Sequence, residues 1–175
     1  MINRTLVRTR VVQILYAYNQ CGDKTPLTAR KELLRSFSDT YSLYFMVLDF
    51  VNELTTYAEN QISETIARSK ATHTPYSPNR RFVENRFAKQ LFENLALRRY
   101  VAEEHLSWEA GQTALAAIYA DLIRAPFYKE YMSAAEVSYA DDKTLWRKIM
   151  SELLPGNEAF LSGLEELEVA LDRRN

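Results

Sequence analysis

Helix-breaking residues are so scarce in this chain that little besides helix is open to it. Only four glycines and five prolines occur in 175 residues, and no stretch alternates apolar with polar residues over the length of a strand. Apolar residues instead recur at steps of three and four, the spacing that lines one face of a helix. The expected fold class is all-α, a multi-helix bundle. With 47% hydrophobic and 26% charged residues, the chain has the composition of a globular protein with a real core.

Eight helices are expected. The first spans Asn3 to Gln20, and Cys21-Gly22-Asp23 supplies a turn. Thr25 then acts as an N-cap with Pro26 at the first helical position. Leu27, Leu33, Leu34 and Phe37 mark a short second helix, and Ser38 or Asp39 caps a third that reaches about Lys70. Ala71 to Asn79 is the clearest break, because Pro75 and Pro78 prevent helix there. Residues 1–70 are therefore read as one helical subdomain, 71–79 as a proline-containing linker and 80–175 as a second helical subdomain. In the second, Asn79 caps a fourth helix carrying Val83, Phe87, Leu91 and Leu95, and Ser107 caps a fifth. Pro126 separates the fifth from a sixth, Asp141 or Asp142 caps a seventh, and Asn157 with Glu158 starts the eighth.

The first helix carries the functional signal. Val7, Val11, Ile14, Leu15 and Tyr18 make one apolar arc that has to dock on something. Arg10, Gln13 and Tyr16 fall outside that arc and Arg8 lies on its border. Arg4, Arg8 and Arg10 precede any acid, the first being Asp23. Cations near a helix N-terminus oppose the macrodipole, at a cost of about 0.3–1 kcal/mol each when exposed. A helix that keeps this pattern without a compensating carboxylate is expected to serve an anionic partner. The overall net charge is -1, so any such surface depends on local segregation of charge, a basic head set against an acidic tail at Glu165, Glu166 and Glu168. A second basic stretch, Arg80 to Arg99, reads as a solvated face.

The run Val12-Gln13-Ile14-Leu15-Tyr16-Ala17-Tyr18, preceded by spaced arginines, resembles the first helix of the NusB family of bacterial transcription antitermination factors. Thr5 and Leu6 stand where compact members of the family have further arginines, Thr9 stands where a Glu is usual, and Arg10 has no counterpart in the pattern. The resemblance implies a NusB-like N-terminal three-helix unit. It also implies a non-enzymatic factor that binds a boxA-like, single-stranded leader RNA together with a small ribosomal subunit protein in the transcription elongation complex. Carried over by position, Arg4, Arg8, Gln13 and Tyr16 are RNA-binding residues, and Arg10 joins them as a further phosphate contact. The family's closing helices have no match in the chain, which implies the N-terminal portion of a longer protein.

Other chemistries find no motif. His73 and His105 have no ligand constellation at metal-site spacing, and there is no phosphate loop or nucleophile elbow, so no cofactor, metal or enzymatic activity is expected. The single cysteine, Cys21, fits a reducing, cytoplasmic setting, and no run approaches the roughly 20 apolar residues needed to span a membrane. The competing expectation is a helical protein–protein interaction module without RNA contact. Burial of Gln13 and Tyr16, or neutralisation of the arginines by the acidic tail, would favour it.

Overall fold

A computed structural model of the chain describes residues 4–20, 25–108 and 111–172. The fold is all-α: eight α-helices are present, with no strand among the described residues. They are α1 (Arg4–Gln20), α2 (Pro26–Thr72), α3 (Arg86–Phe92), α4 (Leu95–Glu103), α5 (Gln112–Arg124), α6 (Pro126–Ser133), α7 (Tyr139–Lys148) and α8 (Glu158–Asp172). One turn of π-helix, Ile149–Leu153, extends α7. The Cys21–Asp23 turn lies outside the described residues, as do the side chains of Leu167 and Leu171.

The number of helices matches the sequence pattern, but the partition does not. The expected second and third helices are one 47-residue helix, α2. Thr25 caps it as expected, its hydroxyl oxygen accepting from the Thr28 N–H at 3.3 Å. Ser38 and Asp39 cap nothing. The hydroxyls on either side of them turn back onto the helix, Ser36 donating to the Leu33 carbonyl at 2.9 Å and Thr40 to the Ser36 carbonyl at 2.7 Å. Each thereby satisfies itself inside the helix, and with no proline or glycine in the stretch nothing stops it. The expected fourth helix is instead two, α3 and α4. Asn79 does not open it, because its side-chain oxygen accepts from the Arg81 N–H in a local turn at 3.1 Å. Asn85 and Asn94 are the caps, accepting from the Ala88 and Leu97 N–H groups at 3.0 Å. Likewise α5 begins at Gln112 rather than near Ser107, and Ser138 caps α7 with Asp141 closing a reciprocal capping box.

Contacts divide the chain into two compact units, Met1–Tyr44 and Phe45–Asn175. The division falls within α2 and not at 71–79. Residues 74–80 lack regular structure, but they belong to the larger unit. The loop is tied down by Asn79 donating to the Met132 carbonyl at 2.9 Å and by Arg80 donating to Glu59 at 2.8 Å. Arg81 adds a bond to the Tyr131 carbonyl at 2.9 Å.

The larger unit has a dense core. Met46, Phe50, Leu54 and Ala58, one i, i+4 row of α2, are all buried. Phe50 meets Trp108 and Phe160 with ring centroids 5.3 Å away in both cases, and the Trp108 indole N–H donates to the Met46 carbonyl at 3.2 Å. Leu115, Ile118 and Leu122 of α5 and Trp146 and Ile149 near the end of α7 complete it. At Gly163 on α8 an added Cβ would stand 2.9 Å from the Ala114 Cβ on α5, so the two helices approach as closely as glycine permits. A buried polar set joins α3, α6 and α7. Asp142, 2% exposed, accepts from Arg86 Nε at 2.8 Å and from the Tyr131 hydroxyl at 2.7 Å, and Asn85 donates to that hydroxyl at 3.1 Å. Burial, reinforced by the Asp142 carboxylate, pushes the Tyr131 phenol well above its ordinary range.

Candidate nucleic-acid interface

The smaller unit comprises α1 and the first part of α2. Its only fully buried described residue is Ser42. Val11, Ile14 and Tyr18 of α1 are half-buried and border a cleft of about 250 Å³ with Pro26, Ala29 and Leu33 of α2. The apolar arc expected of α1 is thus present but narrower. Leu15 is 57% exposed although it edges the cleft, and Val7 is 36% exposed.

Of the five expected RNA-contacting residues, the structure brings three into one line. Arg4, Arg8 and Tyr16 stand in an i, i+4 row that also contains Val12, and all four are exposed, Tyr16 at 67%. At about 1.5 Å rise per residue the row runs about 18 Å along the helix. Neither Arg4 nor Arg8 forms an ion pair or hydrogen bond with any described residue, and no acid stands in the first turn of α1. Their guanidinium groups face the positive end of the helix dipole without internal compensation.

Arg10 and Gln13 are placed differently. At about 100° per residue Arg10 lies some 160° from Arg8. It is half-buried, donates from Nη1 to the Gln13 side-chain oxygen at 3.2 Å, and holds its Nε buried without an acceptor among the described residues. The pair is self-engaged on another side of the helix from the Arg4–Tyr16 row, although Gln13 itself remains exposed. Val12 is the member of the row that the sequence reading passed over. The i, i+4 step from Arg8 was the available signal, masked by counting Val12 with the motif and not with the surface.

Charge sharpens the contrast. Residues 1–44 hold seven Lys or Arg against three Asp or Glu, whereas residues 45–175 hold fifteen against twenty. The near-neutral whole is a cationic hairpin followed by an anionic body. Within the larger unit many cations are already spent on neighbours, as in Arg80 with Glu59, Arg86 with Asp142 and Arg99 with Glu103, at 2.8, 2.8 and 2.7 Å.

No protein-family model, curated protein or solved structure matches this chain. The site accordingly stands on its own geometry. Among the described residues no group of three or more His, Cys, Asp or Glu is placed to hold a metal, and no helix is long and apolar enough to cross a membrane. The arrangement on α1 can offer two solvent-facing guanidinium groups to phosphates and one phenol face to a planar group.

Proposed function

We propose that the chain is a non-enzymatic, cytoplasmic RNA-binding factor of the NusB type, acting in transcription antitermination through a boxA-like, single-stranded leader RNA and a small ribosomal subunit protein. The observation that supports this reading is the Arg4–Arg8–Val12–Tyr16 row, exposed throughout and paired with no carboxylate among the described residues. Single-stranded RNA is bound by cations that follow its phosphates and by aromatic faces on which unstacked bases lie. Arg4 and Arg8 take the first role and Tyr16 the second. Gln13 offers its amide to a base edge, and Arg10, engaged with Gln13, orients that amide more than it meets phosphate.

Two phosphate contacts give weak, salt-sensitive binding, each adding about 0.7 to the log–log salt slope on a single strand. Tighter and more specific binding falls to the ribosomal protein partner. The test is a titration of the full chain with a labelled boxA-like RNA at several salt concentrations, with and without that partner. Arg8→Glu is expected to weaken binding and lower the slope by about 0.7 without lowering helicity or melting temperature, because Arg8 is exposed and forms no hydrogen bond or ion pair with a described residue. Equal binding by the reversed variant at low salt removes α1 from the RNA site. A protein-interaction module without RNA contact is the second reading, favoured by the 65% exposure of Val12 inside the row and the 57% exposure of Leu15 beside it. That reading gains if RNA binding is absent and Val12→Asp abolishes association with the ribosomal protein.

A further inference from the structure

The larger unit carries an open groove of about 740 Å³ between α2, α3 and α7. Its floor is apolar: Val47 and Val51 of α2, Phe87 and Leu91 of α3, and Trp146 of α7. Lys143 and Arg147 also line it, one turn apart on α7, and no Asp or Glu does. Both cations are exposed, and neither forms an ion pair or hydrogen bond with a described residue. Elsewhere in the unit, Lys89, Arg80, Arg86 and Arg99 each meet a carboxylate. Uncompensated positive charge and uncovered apolar surface therefore coincide. Trp146, at the floor of the groove, is itself enclosed. It is 1% exposed, yet its indole N–H has no acceptor among the described residues, whereas the N–H of Trp108 reaches the Met46 carbonyl.

We propose that this groove docks an amphipathic helix of a partner protein, with an apolar stripe flanked by carboxylates. The walls are i, i+4 ridges on three helices, the relief into which another helix packs. From Tyr139 to Met150 the lining follows about 16 Å of helix axis, close to three turns. A small amphiphile would lie too exposed here, since small ligands bury most of their surface and Tyr139, Lys143 and Arg147 all stand open to solvent. The flanking acids pair with Lys143 and Arg147, which sets the direction and register of the docked helix.

The test pans a displayed library of 14-residue amphipathic helices, randomised along the apolar stripe and its flanks, against the full chain. Recovered helices are expected to carry Asp or Glu on the flank and to bind the Lys143→Glu/Arg147→Glu variant at least tenfold more weakly. Panning against that variant is expected to recover basic flanks. Both substituted residues are exposed, so circular dichroism and tryptophan fluorescence stay unchanged. No enrichment, or helices indifferent to the charge reversal, overturns the proposal. So does saturable laurate binding at the groove without any recovered helix, which would make it a site for a small amphiphile. A concentration-dependent dimer abolished by the double variant would assign the groove to a second copy and overturn it equally. None of these outcomes involves Arg4, Arg8 or Tyr16, so they are separable from the RNA titration.

Discussion

The hairpin of residues 1–44 and the body of residues 45–175 are built on opposite terms. The body encloses Phe50, Leu54, Leu115, Ile118, Leu122 and Ile149 at 0% exposure and carries net negative charge. In the hairpin the described apolar side chains are at best half-buried, Val12, Leu15, Leu27 and Leu34 are each more than half exposed, and the net charge is positive. Two helices alone cannot enclose a core, because each buries only one stripe. The hairpin's folding free energy is correspondingly small, and its uncovered apolar and cationic surface is available to partners.

The strongest way to break this comparison is to truncate one apolar residue in each unit. Phe50→Ala is expected to cost about 3–5 kcal/mol, the usual result of emptying a close-packed aromatic site. Leu15→Ala, at 57% exposure, is expected to change stability by less than about 0.5 kcal/mol. Both tryptophans, Trp108 and Trp146, lie in the body, so fluorescence follows that unit while far-ultraviolet circular dichroism follows all the helices. The hairpin's weakness predicts that the dichroism signal begins to fall at lower denaturant than the fluorescence. Coincident transitions, or a large loss from Leu15→Ala, would show a cooperative fold in which the hairpin is as firmly held as the body.

Adding volume gives the opposite pairing. At Gly163 a new methyl meets the Ala114 Cβ, an atom with no freedom to swing aside. Overpacking of about 1–3 kcal/mol outweighs the helix-propensity gain of about 1 kcal/mol, so Gly163→Ala lowers the fluorescence midpoint by a net amount of about 1 kcal/mol. Ala29→Leu in the hairpin points extra carbon at the cleft of about 250 Å³ and is expected to be neutral or stabilising. A loss at Ala29 as large as that at Gly163 would mean that the cleft is closed in solution.

The difference between the units also marks what the sequence could reveal. Helical class, the apolar stripes and the Thr25-Pro26 and Asn157 starts were legible because periodicity and capping chemistry are local. The fusion of two expected helices into α2 was not. Ser38 and Asp39 have the composition of a cap, and only the hydroxyl bonds of Ser36 and Thr40 to their own helix decide otherwise. The split between α3 and α4 was hidden by the unbroken i, i+4 run Val83, Phe87, Leu91, Leu95, which reads as one stripe although Asn94 interrupts it. On α1 the Arg4–Arg8–Tyr16 row could be read from spacing. The half-burial of Arg10 and its bond to Gln13 could not, since they depend on the packing of α1. The groove was invisible because its walls come from residues near 47, 87 and 143, far apart along the chain.

Backbone strain offers a smaller test. His73 ends α2 at φ 53°, in the left-handed region, with its N–H bonded to the Lys70 carbonyl and the Thr74 N–H to the Ser69 carbonyl. That is the Schellman arrangement, in which glycine is the preferred residue. His73 is exposed and its side chain forms no hydrogen bond or ion pair with a described residue. His73→Gly is therefore expected to stabilise the body by about 0.5–1 kcal/mol, read as a higher fluorescence midpoint. No change would imply that the left-handed geometry relaxes in solution.

The smallest effect concerns pH and also belongs to the body. On α2, burial raises Asp49 above its ordinary 3.8, and burial together with the nearby Asp49 charge raises Glu53 above 4.5. A carboxyl whose folded pKa exceeds its unfolded value binds its proton more readily when folded. The stability it contributes is complete below the unfolded value and is lost as pH rises through the folded one. Once pH has risen through the folded values both groups are charged, one helical turn apart, and each opposes the fold. Acidification from pH 7 toward pH 5 should then raise the fluorescence midpoint slightly, before other carboxylates that favour their charged forms begin to titrate. Because Glu53 is only half-buried, solvent screens much of the interaction and the gain is small. Glu53→Gln should be more stable than the parent at pH 7 and show a flatter response below it. An unchanged slope in that variant would place the source of any acid stabilisation outside this pair.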